Sequence, residues 1–431
     1  LLNSAHEKRY IELKDSPLQE TWLRLHSLHI PDLCFSDLRT LIVDGCHFLT
    51  DAVLPFYLLP LLPQLESLVV RNCDFVQIIF DVKCLTQDIE MTNLEELILE
   101  RLPNLENVWN AYPKETNLEL TFPQLNSLEL CDLPKLKYDM FKLFTNLEHL
   151  RLGEHELKMI LRGEFQGNHL HKLKVLALFF HIESDIFLQQ VPNIEKLEVF
   201  DGSFKEIFRF DSLNVDEAGL LSQWKLLFLD SLPELVSIGS ENSRIVPFLR
   251  NLETMEVISC FSSINLVPCA VSFSNLTYLQ VESCNCLLYL FTSSTAKSLG
   301  QLKTMKIKRC DSIEKIISKE GDESHENEII FQQLNCLKLA ELRKLRRFYK
   351  GSLSFPSLKE LSVINCDRMK TFCAGTVKTD KLLEVKFERG VDAIPLETDL
   401  NSAIQNRWAF LAKVCLFIQN YYNCCYNTPC Q

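Results

Sequence analysis

The sequence predicts an α/β repeat fold in which short parallel strands stack into a solenoid. Two observations predict it: an apolar ladder of the form L-x-x-L-x-[LVI]-x-x-C, and its return at intervals of 21 to 32 residues along the 431-residue chain. The stretch Leu276–Cys284 gives a complete ladder, with Leu276, Leu279, Val281 and Cys284 at its four positions. This period is typical of leucine-rich repeats, whose units stack because none can bury its apolar face alone.

Fourteen ladders occur, and they differ mainly at the last position. Six end in cysteine and begin at Leu38, Leu65, Leu252, Leu276, Leu302 and Leu358. Four end in leucine and begin at Leu94, Leu125, Trp224 and Leu334. Degenerate copies begin at Leu147, Leu173, Ile194 and Leu382. Because the spacing continues through all of these types, we expect one array of about 14 irregular repeats over residues 1–390.

Each ladder predicts a short strand with one buried face, since its last two apolar positions alternate along the chain. Stacking these strands in parallel predicts a curved horseshoe, with the strands on the concave face and irregular turns and short helices on the convex face. The segment Thr292–Leu302 is a candidate for one such helix. Residues 391–431 fit no repeat, and we expect a non-repeat tail there. No capping segment is recognisable, so the chain looks cut from something longer.

Cysteine is common, with 17 residues, but its placement argues against chemistry. Six cysteines occupy the last ladder position, where a small thiol is apolar enough for the core and can approach unpaired backbone groups: Cys46, Cys73, Cys260, Cys284, Cys310 and Cys366. Cys286 is an additional residue of one turn, expected to be a small buried thiol. The tail cysteines Cys415, Cys424, Cys425 and Cys430 match no zinc-binding spacing. We therefore expect reduced, structural thiols.

Several function classes are disfavoured by composition and by missing motifs. The net charge of −12 argues against nucleic acid as the main partner. No apolar run is long enough for a membrane span. Neither a phosphate-binding G-x-x-x-x-G-K-[ST] loop nor a G-x-S-x-G nucleophile elbow is present. We expect no enzyme, no metal and no cofactor in this chain, and a protein as the partner.

The ladders and several turns resemble one known group. "LPNLENVW" and "LPKLKY", together with "LLYLFTSSTAKSLGQL", "MKIKRCDSIEKII" and "GDE", are similar to the C-terminal leucine-rich-repeat region of plant nucleotide-binding disease-resistance proteins of the coiled-coil class. The resemblance covers roughly residues 10–390. It implies a cytoplasmic immune receptor in which this region senses a pathogen effector or a guarded host protein and helps to hold the receptor off. It also implies an upstream nucleotide-binding domain as a partner in cis, and a nucleotide only if that domain exists.

Two other classes of solenoid remain as alternatives. A leucine-rich-repeat substrate adaptor of a ubiquitin ligase also carries cysteine-bearing repeats, and an F-box module upstream would indicate it. A stand-alone inhibitor similar to the ribonuclease inhibitors would also be acidic and rich in reduced cysteine. Its repeats would alternate more regularly with long helices, which argues against it.

Binding residues are expected at the positions between ladder residues, because these point to the concave face. In the middle repeats these positions are apolar or aromatic: Val175, Ala177, Phe179, Phe200, Leu226 and Phe228. Such a patch usually marks a partner surface. The alternative is that the degenerate repeats have shifted register, so that these residues belong to the core.

Further along the chain the same positions become polar and then basic. The ladder at Leu276 presents Tyr278, Gln280 and Glu282, and the next two ladders present Lys306, Lys308 and Lys338, followed by "RKLRR" at residues 343–347. A basic patch on an acidic protein can steer an acidic partner or a neighbouring domain. The alternative is an ordinary solvated, charged face.

Overall fold

The computed structural model describes residues 9–14, 35–55, 57–81, 89–90, 93–110, 120–137, 144, 146–159, 170–179, 191–203, 205–208, 223–239, 249–262, 271–318, 328–388, 393–396, 399–410 and 413. The chain forms two compact units. The first contains Leu1–Phe179 and Ile186–Leu197, and the second contains Phe180–Asp185 and Glu198–Gln431.

The first unit is built on consecutive parallel strands, each paired with the next one in the chain. The strands are β1 (Tyr10–Lys14), β2 (Thr40–Asp44), β3 (Ser67–Arg71), β4 (Glu96–Glu100), β5 (Ser127–Cys131), β6 (His149–Leu152) and β7 (Val175–Leu178). β8 (Lys196–Phe200) begins in this unit and ends in the second. Except for β1, every one of these strands coincides with a ladder.

The second unit continues with the same kind of sheet. Its strands are β9 (Leu226–Asp230), β10 (Thr254–Ile258), β11 (Tyr278–Glu282), β12 (Thr304–Lys308), β13 (Cys336–Ala340), β14 (Glu360–Ile364) and β15 (Glu384–Lys386). They pair in parallel and in chain order. β16 (Ile394–Pro395) then pairs antiparallel with β15. The prediction of a parallel-strand solenoid is confirmed.

In many of the described repeats a short strand on the opposite side belongs to a small separate sheet. In the first unit these strands are Ala52–Pro55, Ile78–Asp81, Asn107–Trp109, Ile89–Glu90 and Leu120–Thr121, with a 3-10 helix at Leu59–Leu61. In the second they are Glu206–Phe208, Ser237–Gly239, Phe291–Thr292, Ile317–Ser318, Ile329–Ile330, Leu353–Ser354 and Val377–Lys378. Among the described residues the α-helices are α1 (Glu154–Met159), α2 (Ser293–Lys297) and α3 (residues 400–410). α2 is shorter than the helix expected over Thr292–Leu302.

The core lies between the two sets of strands and is filled by ladder residues and phenylalanine rings. In β11, for example, Leu279 and Val281 are fully buried, whereas the alternate residues are half-buried. Behind the strands, Phe331 stacks on Phe355 with ring centroids 5.3 Å apart, and Phe348 stacks on Phe372 at 5.1 Å. Burial of large apolar side chains in every repeat is the main stabilising contribution to such a fold.

Most of the ladder strands are ended by a residue in the left-handed backbone region. This residue follows the strand directly in eleven repeats, with φ between 46° and 65°: Gly45, Asn72, Arg101, Asp132, Asp201, Ser231, Ser259, Ser283, Arg309, Glu341 and Asn365. Its N–H still donates to the neighbouring strand, as in Ser283 to the Lys308 carbonyl at 3.0 Å. The next residue then turns inward, so the change in φ ends the strand without losing this hydrogen bond.

The last ladder residue satisfies backbone groups at that turn. The Cys284 N–H donates to Sγ of Cys310 in the next repeat at 3.4 Å, and the Cys46 N–H does the same to Cys73. Each cysteine Sγ also donates to the carbonyl two residues earlier, as in Cys310 to Lys308 at 3.2 Å. The predicted structural role of these thiols is confirmed.

Glu156 on α1 replaces the thiol at one turn of the first unit. Leu133 occupies the last ladder position of its repeat, and its N–H donates to Glu156 Oε1 at 2.8 Å. The carboxylate is fully buried, and a Cβ at Gly153 would lie 2.3 Å from Oε2, so only glycine leaves room for it. Burial raises the pKa of Glu156, and the hydrogen bond from Leu133 opposes this effect only in part.

The C-terminal end of the described array is covered by residues from the segment that was expected to be a non-repeat tail. Leu400 and Ile404 of α3 are buried. Asn401 Oδ1 accepts hydrogen bonds from the N–H groups of Phe372 and Cys373, at 2.9 and 3.0 Å. Two buried apolar residues and one amide are too few to stand out in the sequence, so the sequence did not indicate that this segment packs on the array.

Valine at position 365 should destabilise the protein, because a β-branched side chain is strained at the positive φ of 52° found there. We expect Asn365→Val to lower the free energy of unfolding by about 1–3 kcal/mol and Asn365→Gly to be nearly neutral. Urea unfolding of the whole chain measures both. Ser362→Val on β14 is the matched control, and equal losses at the two positions would contradict the turn's role.

Glu156→Gln should become more stable than the unsubstituted protein as the pH rises. The pKa of Glu156 is raised above 4.5 in the folded state, so the folded state binds the proton more tightly than the unfolded state. Its contribution to stability is therefore greatest below pH 4.5 and is lost as pH rises through the folded pKa. Urea midpoints of both proteins across pH 4–8 measure the difference.

Glu154→Gln is the control for that measurement, since Glu154 is an exposed residue of the same helix. A difference between Glu156→Gln and the unsubstituted protein that stays constant with pH would show that Glu156 does not titrate differently on folding.

Candidate functional site

The candidate site of the second unit is the open face of its strands, the side to which the half-buried alternate residues point. Strand register aligns these residues in three rows across β9–β14. The rows run Leu226, Thr254, Tyr278, Thr304, Cys336, Glu360; then Phe228, Glu256, Gln280, Lys306, Lys338, Ser362; and then Asp230, Ile258, Glu282, Lys308, Ala340, Ile364. Side chains predicted from the sequence thus share one surface.

A chain of hydrogen bonds links β11 and β12 on this face. Lys306 Nζ lies 3.0 Å from the Tyr278 hydroxyl and 4.9 Å from the centre of its ring. The Tyr278 hydroxyl donates to Gln280 Oε1 at 2.7 Å, and Gln280 Nε2 donates to Glu282 at 3.1 Å. The hydrogen bond to Tyr278 raises the pKa of Lys306, so this lysine carries its charge at neutral pH. The network holds a cation over an aromatic ring.

The other charges on this face are largely compensated by ion pairs. Glu282 interacts with Lys308 at 3.8 Å and also with Arg309. Lys338 lies 3.9 Å from Glu360, a residue that the sequence pattern had not singled out. These pairs are partly exposed and contribute little to stability. Lys306 differs from them because its nearest partner is a neutral phenol, which leaves a positive charge available on the face.

The aromatic residues of β8 and β9 point outward, as expected. The Phe200 and Phe228 rings lie 5.5 Å apart, and both side chains are half-buried, as is Leu226. The ladder residues Leu227 and Leu229 between them are fully buried. The alternative of a shifted register in these repeats is therefore wrong, and the two rings form an aromatic pair on the open face.

Phe179 belongs to the first unit and is treated with its neighbours there. The Arg151 guanidinium lies 4.7 Å from the centre of the Phe179 ring, and both side chains are partly exposed. Val175 is half-buried, but Ala177 is buried, with 5% of its surface exposed, because its short side chain is covered by its neighbours. Ala177 is therefore not part of an exposed patch.

The "RKLRR" motif lies after β13, in the turn rather than on the open face. Arg343 Nε is 3.6 Å from Asp311 of the preceding repeat, and Arg343 is largely exposed. Arg347 forms an isolated bridge with Lys315 on the opposite side of the repeat. The basic residues counted together in the sequence are thus distributed over different surfaces.

Three aliphatic residues on the open face of the first unit were missed. Ile42, Val69 and Ile98 occupy the same outward position in β2, β3 and β4. The signal was present in the sequence, since three successive ladders read "LIV", "LVV" and "LIL" at their centres. It was overlooked because an aliphatic residue between two leucines looks like part of the core.

The six ladder thiols are buried, so a reagent in solvent does not reach them. Burial raises the pKa of Cys366 to about 12, which disfavours the thiolate. Cys286 is exposed, so the expectation of a buried thiol was wrong: its turn projects away from the core. The tail cysteines lie outside the described residues. No group of three or more histidine, cysteine or acidic side chains suited to a metal occurs among the described residues.

Cys286 should react with iodoacetamide in the folded protein, whereas Cys284 should not. Reaction requires an accessible thiolate, and Cys284 is fully buried while Cys286 is exposed. Mass spectrometry of peptides after a short labelling pulse measures both sites at once. Labelling of both in urea is the positive control, and equal labelling in the folded state would contradict the assigned burial.

The stacked ladders, the parallel sheets and the turn structure define a leucine-rich-repeat solenoid. A family model described as plant disease resistance protein RPS2-like, leucine-rich repeats, matches residues 7–143, 146–272 and 269–385. The chain therefore belongs to this family of plant disease-resistance leucine-rich repeats. Among the described residues, no helix has both the length and the apolar character required to cross a membrane.

Two relatives from Arabidopsis thaliana illustrate the similarity. The chain is 36% identical to disease resistance protein RPS5 over 275 residues, which is 57% of this chain and 30% of RPS5. It is 24% identical to disease resistance protein UNI over 336 residues, or 71% of this chain and 37% of UNI. The chain thus spans about a third of these relatives. A solved structure of TLR13 with ssRNA13 aligns over 84% of this chain and 61% of that one, with 14% identity and a TM-score of 0.37.

Proposed function

We propose that this chain is the protein-recognition and autoinhibitory module of an intracellular plant immune receptor. In this role it senses a pathogen effector or a guarded host protein, and it contacts an upstream nucleotide-binding domain in the same receptor. Membership of the disease-resistance repeat family supports the receptor assignment. It also favours this assignment over a ubiquitin-ligase adaptor, since the relatives are disease-resistance proteins.

The observation that carries the proposal is the polar and aromatic open face of the second unit. Lys306 is held over Tyr278 without a carboxylate as its nearest partner, and Phe200 and Phe228 form a half-buried aromatic pair. Aromatic and cationic side chains on a rigid sheet lose little conformational entropy when they bind, and such residues dominate protein interfaces. The surface therefore suits a partner that presents acidic groups beside an apolar patch.

A face with both features also suits inhibition in cis. A domain of the same receptor has a high effective concentration at this surface, so modest contacts hold it there. An external protein that competes for the same residues then shifts the equilibrium towards the released form, by its differential affinity for the two states. Recognition and inhibition thus use the same side chains in this proposal.

The proposal is tested by reversing charges in the intact receptor that contains this chain. Lys306→Glu, Lys308→Glu and Lys338→Glu together should produce constitutive cell death in leaf tissue if they contact a domain in cis, or loss of the pathogen-triggered response if they contact the sensed protein. Each result follows from repulsion of an acidic partner. Receptor abundance on immunoblots shows whether the variant accumulates normally.

The matched control reverses three exposed lysines away from this face, Lys297, Lys344 and Lys350, with the same change in net charge. A second variant places alanine at Phe179, Phe200, Phe228, Lys306 and Lys308. If both open-face variants leave autoactivity and the pathogen response unchanged while the receptor accumulates normally, the proposed function is wrong.

A further inference from the structure

Ile42, Val69 and Ile98 form an aliphatic row on the open face of the first unit. β2, β3 and β4 pair in register, so Ile42 is opposite Val69, and Val69 is opposite Ile98. Ile42 and Ile98 are half-buried, and Val69 between them keeps 9% of its surface exposed. The row therefore places three branched aliphatic side chains side by side on the outward side of the sheet, with Ile42 and Ile98 partly exposed and Val69 largely covered between them.

A carboxylate continues this row at each end. Glu12 of β1 is opposite Ile42, and Glu129 of β5 is opposite Ile98. Glu12 accepts a hydrogen bond from the Tyr10 hydroxyl at 3.1 Å, and Glu129 lies 3.3 Å from Arg151 Nε. The five aligned residues thus read acidic, three aliphatic, acidic across neighbouring strands.

The carboxylate end at Glu129 lies in a locally negative environment. Burial raises the pKa of Glu129, and the nearby Glu100 and Glu96 raise it further, although Arg151 acts in the opposite direction. Glu96 itself accepts a hydrogen bond from Ser67 at 2.6 Å, and the ion-pair partner of Glu100 is Arg101. Three carboxylates and the two guanidinium groups of Arg151 and Arg101 leave a net negative charge at this end, so one additional positive charge near Glu129 would be favoured.

We propose that the aliphatic row binds an amphipathic helix of a partner protein, with three aliphatic residues on one face and a lysine or arginine one step beyond them at each end. The inference is independent of the function proposed for the open face of the second unit. The carboxylates at the two ends of the row favour basic residues at the two ends of the partner segment. The distance between neighbouring strands favours a helical partner over an extended one.

The spacing of the row distinguishes a helix from an extended segment. Neighbouring strands are about 4.8 Å apart, so the five residues span about 19 Å across the sheet. Side chains repeating every three or four residues on a helix advance about 5.4 Å per turn, or about 22 Å over four steps. Side chains on one face of a strand recur every ~6.6 Å and would lose register by the second contact.

The test uses a pair of helical peptides with the whole chain. Both peptides carry leucine at three successive a and d heptad positions. They differ only at the two flanking a or d positions, one before the first leucine and one after the last. These positions are lysine in one peptide and glutamate in the other. Fluorescence anisotropy should show the lysine peptide binding at least about tenfold more tightly, with an affinity that falls as salt is raised.

Two substitutions locate the binding surface. Ile98→Ser should weaken the lysine peptide about tenfold by removing an aliphatic contact. Glu12→Lys should weaken the lysine peptide and strengthen the glutamate peptide by a similar factor. Glu234→Lys is the matched control, because Glu234 is an exposed glutamate of the second unit and makes the same change in net charge.

Three results would overturn the proposal. These are no binding of the lysine peptide at millimolar concentration, equal binding of the two peptides, or an affinity that responds to Glu234→Lys as strongly as to Glu12→Lys. The last result would indicate attraction to the net negative charge of the protein rather than to the aliphatic row. Circular dichroism of each variant verifies that the fold is retained.

Discussion

Satisfying the backbone at the end of each strand is the constraint on which the rest of this structure depends. A residue with positive φ ends the strand while its N–H still bonds to the next strand, and the following N–H needs an acceptor inside the core. A thiol of the next repeat supplies it at Cys284, and a buried carboxylate supplies it at Leu133. An unpaired buried N–H costs about 1–3 kcal/mol, so an acceptor from the next repeat, where it is present, favours pairing of the two strands in this register.

That register determines which residues can change without disturbing the core. Once the ladder residues and the turn are fixed, the only structural requirement on the alternate residues is that they are compatible with the strand conformation. They line up in rows because the strands pair without offset, as in Phe228, Glu256, Gln280, Lys306 and Lys338. The open face is therefore assembled from residues 24 to 32 positions apart in the sequence, and a single substitution can alter it without affecting the core.

The sequence was sufficient for the strands and for most of the core, because a period of two within each ladder and a regular spacing between ladders together are typical of stacked parallel strands. It was insufficient for the turns. Glycine, asparagine and aspartate would have indicated positive φ, but arginine, serine and glutamate occupy several of these positions, so tertiary context overrides local preference there. Glu156 could not have been recognised as a substitute for cysteine, since its role depends on a contact with Leu133, 23 residues away.

The candidate surfaces were predictable to different degrees for a related reason. Outward lysines and phenylalanines stand out because they differ from the ladder, whereas Ile42, Val69 and Ile98 resemble it and are identified only by strand direction. Their chemistry also differs from that of Lys306 and its neighbours, since one row combines aliphatic groups with carboxylates and the other combines aromatic rings with cations. Surfaces of opposite charge do not compete for one partner. Under the two proposals each unit would carry the determinants of its own specificity, on strands whose core residues follow the same pattern.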